Sequence, residues 1–161
     1  MGITSENSTV FLEHAAAVLD FLPVFENPDF VSGRLALKPG ELPLWNYNDK
    51  LLAFIKALYD NRWITDFDWT EWQAEARKYW EEPGLIAGTD LTTLRRLLTL
   101  HVRKDRFCDG HLAAAVEQGQ IAAILKRIAE LKESSAFKSR PNIRSGAANS
   151  SPAGGHGNGK R

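Results

Sequence analysis

One cysteine and one methionine occur in 161 residues. A lone cysteine, Cys108, rules out an internal disulfide framework and suits a reducing compartment, so a cytoplasmic location is expected. No apolar run approaches the roughly 20 residues of a bilayer span, and no membrane contact is expected. The opening stretch MGITSENSTVFLEH has neither the basic start nor the apolar centre of a secretory signal. Acidic residues are missing from 134–161, which carry Lys138, Arg140, Arg144, Lys160 and Arg161. The overall balance of 20 basic and 20 acidic residues therefore conceals a body, 1–133, that is net acidic. An acidic body argues against a dedicated DNA binder.

What remains is a chain that is 43% hydrophobic, enough for one compact core. Apolar spacing predicts a helix over about Thr9–Leu22, ending at Pro23. Prolines and glycines break the next stretch, FENPDFVSGRLALKPGELPLWNYND. There RLAL and LPLW flank KPGE, which reads as a turn between two short strands. A second helix starts near Asn48 or Asp49, both good caps, with Leu51, Leu52, Ile55, Leu58 and Tyr59 on one face. Asp68 followed by Glu71 resembles a capping box and predicts a third helix from Asp68 to Pro83. It carries Trp69, Trp72, Ala76, Tyr79 and Trp80. EEPGLIAGTD reads as a loop. A fourth helix is expected from Thr89 or Asp90 to about Phe107, a fifth over 110–118 and a sixth over 120–131. The last two are separated at Gly119 because their apolar faces would point in nearly opposite directions on one continuous helix. The expected architecture is a mainly α bundle of five to six helices with a small irregular or hairpin segment near 31–47. It comprises a flexible lead at 1–7, a single helical domain over 8–132, and a disordered Ser/Gly/Pro-rich tail over 133–161.

The densest chemistry lies in LLTLHVRKDRFCDGHLAAAV, residues 97–116. On a helical wheel His101 and Asp105 fall on the face defined by Leu91, Leu94, Leu97, Leu98 and Val102. A carboxylate on such a face needs a partner. His101, His111 or the backbone amides near Gly110 can supply it, which would tie two helices together. The catalytic alternative is a hydrolase- or phosphodiesterase-like cluster of His101, Asp105 and His111. In one form His101 is the base, Asp105 its orienter and Cys108 the nucleophile; in the other His101 and His111 act with Arg103 and Arg106 on a phosphate ester. His101, Cys108 and His111 match no four-ligand zinc pattern, so no metal is expected, nor any cofactor. The spacing of Ala115, Gly119, Leu125 and Ile128 is compatible with a helix-turn-helix, with Gln120, Lys126 and Arg127 left to read bases. Arg95, Arg96, Arg103, Lys104 and Arg106 are suited to phosphates or, more simply, to the acidic 60–90 segment. Trp45 and Tyr47 stand in an irregular stretch, where aromatic anchors for a partner or planar ligand are exposed.

The blocks LPVFENPDFVSGR, LPLWNYNDKLLAFIKALYDNRWITDFDWTEW and LLTLHVRKDRFCDGHLAAAVEQGQIAAILKRI, in that order, resemble a family of small bacterial domains of unknown function. The resemblance covers about 20–131. It implies bacterial origin, a shared fold and a signature in HVRKDRFCDGHL, His101 to Leu112. It implies no reaction and no catalytic residue.

The leading expectation is a non-enzymatic binding or interaction module. Its contact residues would be Trp45, Tyr47, Arg103 and Arg106, and its partner another protein or a second copy. A small hydrolase using His101, Asp105 and His111 is the alternative. A nucleic-acid adaptor, making weak contact through helix 90–107 or the basic tail, comes third.

Overall fold

The computed structural model describes residues 5–138. In chain order these form α1 (Ser5–Glu13), α2 (Ala16–Leu19), α3 (Leu22–Glu26), β1 (Gly33–Ala36), β2 (Leu44–Tyr47), α4 (Asp49–Asp60), α5 (Gln73–Glu81), a 3-10 helix (Pro83–Gly88), α6 (Leu91–Asp105), α7 (His111–Glu117) and α8 (Gln120–Lys138). The fold is mainly α with one small antiparallel hairpin, as the sequence leads one to expect. Residues 1–4 of the expected lead and 139–161 of the expected tail lie outside the described residues. Helix α8 continues to Lys138, past the boundary expected near 132.

The single first helix expected over Thr9–Leu22 is instead three short ones. The chain turns between them on bonds that span three residues, from His14 N–H to Phe11 C=O, Ala15 to Leu12, Val18 to Ala15 and Phe21 to Val18. Those turns keep Leu12, Ala15 and Val18 all buried at a spacing of three, which a straight helix would rotate off one face. Pro23 does not end a helix; it lies in the first turn of α3, where a missing N–H costs nothing. The third helix also starts later than expected. The Asp68 carboxylate accepts from the backbone N–H of Thr70 and Glu71 and so holds a turn, and α5 begins only at Gln73. The EEPGLIAGTD stretch winds into the 3-10 helix, which buries Ile86 completely.

Helix α8 is the central element. α1, α2, α3, α6, α7 and the 3-10 helix all pack against it, over Ile121, Ile124, Leu125 and Ile128, none of which is exposed. The break before it falls at Gly119, φ +74°, whose N–H bonds to Val116 C=O at 3.0 Å as the residue that closes α7. Helix α6 is buried on more than one side. Its Leu91, Leu94, Leu97, Leu98 and Val102 are buried as read from the wheel, and so are Thr99 and Leu100. Thr99 explains the extra burial, because its hydroxyl accepts from Thr65 N–H at 3.0 Å and donates to Arg95 C=O at 2.8 Å. It thereby fastens the irregular segment after α4 onto α6. That segment leaves α4 through Arg62, at φ +58°. Arg62 N–H bonds to Tyr59 C=O at 3.1 Å and Trp63 N–H to Leu58 C=O at 2.8 Å. This is a Schellman closure with a non-glycine residue in the left-handed region, held by complete burial of Trp63.

Thr99→Val keeps the shape and leaves the Thr65 amide unpaired. A loss of about 1–3 kcal/mol in urea unfolding is expected, against less than about 0.5 kcal/mol for Thr70→Val on the exposed turn.

Candidate functional site

The turn between α6 and α7 is built around one carboxylate. Asp105 Oδ1 accepts from the Tyr47 hydroxyl at 2.5 Å and from Leu112 N–H at 2.8 Å. Leu112 is the second residue of α7, and the residue before that helix is Gly110, at φ +84° with no side chain to cap it. Asp105 therefore acts as the N-cap from the end of the preceding helix. The same hydroxyl of Tyr47 accepts from Gly110 N–H at 3.1 Å. Burial, and then the hydrogen bond and charge of Asp105, hold the Tyr47 phenol well above its ordinary pKa, so it stays a neutral donor. Trp45, stacked on Tyr47 with ring centroids 6.3 Å apart, lies so close over Gly110 that a Cβ there would sit 2.4 Å from its indole nitrogen. The hairpin is fixed at its other side where Ser32, fully buried, donates to Glu117 on α7 at 3.4 Å.

The two histidines meet next to this turn. His101 Nδ1 and His111 Nε2 are 3.0 Å apart, a ring-to-ring hydrogen bond. His111 also stacks on Trp80, with centroids 5.5 Å apart and planes 23° off parallel. His101 is only 3% exposed, and its Nε2 is buried without a hydrogen-bond partner. Desolvation, with the positive charge of His111 and Lys104 behind it, pushes the His101 pKa down to about 3. Desolvation and Lys104 also lower that of His111, against an opposing pull from Asp105. Both rings are thus neutral at pH 7, one donating to the other. Leaving a lone pair bare costs less than leaving an N–H bare. The favoured arrangement therefore has His101 Nδ1–H donating to His111.

Beside the pair is a recess of about 210 Å³ lined by Gln73, Ala76, Arg77 and Trp80 of α5, Leu100, His101 and Lys104 of α6, and His111. Trp80 is half-buried, while Gln73 and Arg77 are exposed at the rim. Neither Arg77 nor Lys104 forms an ion pair among the described residues.

Of the residues singled out in the sequence, Tyr47, Asp105 and the α7 start are brought together, with Trp45 against them and His101 and His111 adjacent. His101 bonds to His111 and Asp105 to Tyr47 and Leu112, so no His–Asp pair of the kind that orients a catalytic base is formed. Cys108 lies beyond the end of α6 and is exposed, off the His101 face where a longer helix would have carried it. Arg103 and Arg106 do not line the recess. Arg103 is 3.9 Å from Asp66 and Arg106 donates to the Tyr59 hydroxyl at 3.1 Å. Arg95 donates to Arg62 C=O at 2.7 Å and lies over the Phe11 ring, and Arg96 lies over Phe67. The wider pairing expected between this helix and the acidic 60–90 segment reduces to Arg103–Asp66, with Asp66 fully exposed, a contact worth little. In the helix-turn-helix reading, Gln120 is buried, Lys126 pairs with Glu26 at 2.9 Å and Arg127 donates to Thr89 C=O at 3.0 Å. No cluster of three metal-binding side chains occurs among the described residues, and no helix among them is long and apolar enough to cross a membrane.

The α5 wall of the recess was not singled out from the sequence. Its signal is there: Gln73, Ala76, Arg77 and Trp80 follow the i, i+3, i+4, i+7 rule for one helix face. The aromatic residues around them read as ordinary core.

Residues 10–134 match the model of a family of unknown function, DUF6508. The chain belongs to that family, and the whole site lies within the matched span. Comparison with the curated proteins and with the solved structures gave no match.

Two outcomes follow. Gly110→Ala and Gly119→Ala both force a side chain into the left-handed region, at about 1–2 kcal/mol each. Only at Gly110 does the new Cβ also collide with Trp45, whereas nothing lies within 4 Å of it at Gly119. Gly110→Ala should therefore be the more destabilising in urea, and it alone should shift the Trp45 indole resonance. The histidines set a pH dependence. Between His101's folded pKa of about 3 and its ordinary 6.5, the unfolded chain holds a proton that the folded one refuses, so stability falls on acidification through that window. At about 1.4 kcal/mol per pH unit, His101 alone removes roughly 2 kcal/mol by pH 5, and His111 adds in the same direction. Urea midpoints at pH 7 and 5 read the loss, and ring carbon shifts should show His101 still neutral at pH 5. Equal midpoints with a protonated ring would contradict the assignment.

Proposed function

We propose that this protein is a non-enzymatic binding domain whose ligand contact is the recess between Trp80 and the histidine pair. The observation that carries this reading is the buried, unpartnered Nε2 of His101, a residue that lines the recess. A buried polar atom without a partner costs about 1–3 kcal/mol, and a ligand atom that reached it from the recess, with a small shift of the side chains that shield it, would relieve that cost. At about 210 Å³ the space is below the roughly 300–1,000 Å³ of drug-sized sites, which suits a small molecule. The Trp45–Tyr47 pair serves as scaffold in this reading, since both rings are engaged with the α6–α7 turn. The exposed thiol of Cys108 fits a reducing, cytoplasmic setting.

The convergence of His101, His111 and Lys104 at one recess gives the small-hydrolase reading some support. It ranks second because the two rings spend a nitrogen each on one another and no carboxylate orients either.

The experiment is an NMR titration of the full chain with a set of small aromatic probes that differ only in charge. His111 ring and Trp80 indole shifts that saturate, and that are lost in Ala76→Leu with the rest of the spectrum kept, are the expected result. If no probe of any charge moves those signals, the recess is not a binding site. Ester or phosphodiester hydrolysis above background, abolished by His111→Gln, would put the enzyme reading first.

A further inference from the structure

The reading of the recess as a ligand site leaves open what kind of ligand it takes, and the side chains around it bear on that. Arg77 reaches its rim from α5 and Lys104 lines it from α6, and neither has an acidic partner among the described residues. The carboxylate that acts on His111 is Asp105, whose Oδ1 already accepts two hydrogen bonds from the hairpin and the α7 start. The remaining titratable groups at this corner are His101, His111 and, on the hairpin side, Tyr47 with Asp109 acting on it. The two rings are neutral, so two cations, Lys104 and Arg77, stand at the recess, with Asp105 and Asp109 on the side of the turn. Trp80, Ala76 and Leu100 supply an apolar wall.

We propose that the recess binds a small aromatic acid, its ring against Trp80 and its carboxylate or phosphate oxygens between Lys104, Arg77 and the histidine pair. This rests on the recess being a ligand site at all. An oxyanion is the ligand that both cations and the histidines can serve together. Lys104 and Arg77 donate to it with charge assistance, and a tautomer switch lets His111 donate to His101 Nδ1 while His101 Nε2–H donates to the anion. Without the anion that second tautomer would leave a buried N–H unpaired, so the anion selects it. Desolvation, and after it the field of Lys104, lowers the His111 pKa, and a bound anion opposes the second of these.

The test uses the full chain with benzoate, phenyl phosphate, benzyl alcohol and benzylamine, read by His111 and Trp80 shifts. Benzoate and phenyl phosphate should bind at least about tenfold more tightly than the alcohol and the amine. Comparing the two acids distinguishes a carboxylate from a phosphate. Lys104→Gln should weaken the acids about tenfold and leave benzyl alcohol unchanged. Arg77→Gln, at an exposed rim position, gives the same comparison without touching the buried pair. If the alcohol or the amine binds as well as the acids, or Lys104→Gln and Arg77→Gln leave acid binding unchanged, the recess remains a site and the acid assignment is overturned. If no probe binds, both readings fall together.

Discussion

The carboxylate of Asp105 is the constraint on which the site depends. It stands at the last residue of α6, caps the second residue of α7 and receives the phenol of Tyr47 from the hairpin. Three elements, two packed helices and the hairpin, are joined at one oxygen. A hydrogen bond to a charged group contributes about 1.5–3 kcal/mol, and here two converge. A two-stranded hairpin is marginal alone, and β1 and β2 carry exposed leucines, Leu35 and Leu44, instead of an apolar face for the core. The hairpin is held by Tyr47, Trp45 and Ser32 against the α6–α7 corner. Without Asp105, α7 would start at a glycine with no cap, and the angle that brings His111 to His101 would lose its one charged hold.

That angle has a chemical consequence. Two imidazoles held 3.0 Å apart beside Lys104 cannot both be charged, and burial makes even one charge costly. The corner is neutral within and cationic at its rim. A catalytic acid–base histidine works best with a pKa near the working pH, whereas His101 is driven far below it. The same environment suits recognition, because a neutral ring can donate or accept according to what arrives.

Much of this was legible in the sequence because it rests on local rules. Asp90 capping Thr93, the break at Gly119 and the inward rotation of His101 follow from cap chemistry and a 3.6-residue period. The hairpin followed from KPGE between two apolar runs. The first helix misled because Val10, Phe11, Val18 and Leu22 fit one helical face, whereas the three-residue turns bury Leu12, Ala15 and Val18 and leave Val10 exposed, and Phe21, Phe25 and Phe54 then cluster around the bend. Asp68 was a true cap attached to the wrong element, since it closes a turn one step before the helix. The partners of Asp105 were legible in part: an amide near Gly110 was foreseeable, but Tyr47, 58 residues away, was not, because no local pattern encodes a long-range contact. For the same reason α5 looked like core. Its Trp80 is recognisable as a wall only once His111 is seen stacked on it.

The arginines show how charge counted along a chain misleads about surface. Five basic residues over 95–106 suggest a phosphate-binding face. Arg95 is spent on a carbonyl and the Phe11 ring, Arg96 on Phe67, Arg103 on Asp66 and Arg106 on the Tyr59 hydroxyl. Arginine suits such duty, since a planar guanidinium can stack on a ring and donate at its edge at once. Lys104 cannot stack in that way, and it is the one of the five that lines the recess. A helix that looks uniformly basic is thus divided by side-chain chemistry into arginines occupied with neighbouring groups and a lysine without an ion-pair partner among the described residues.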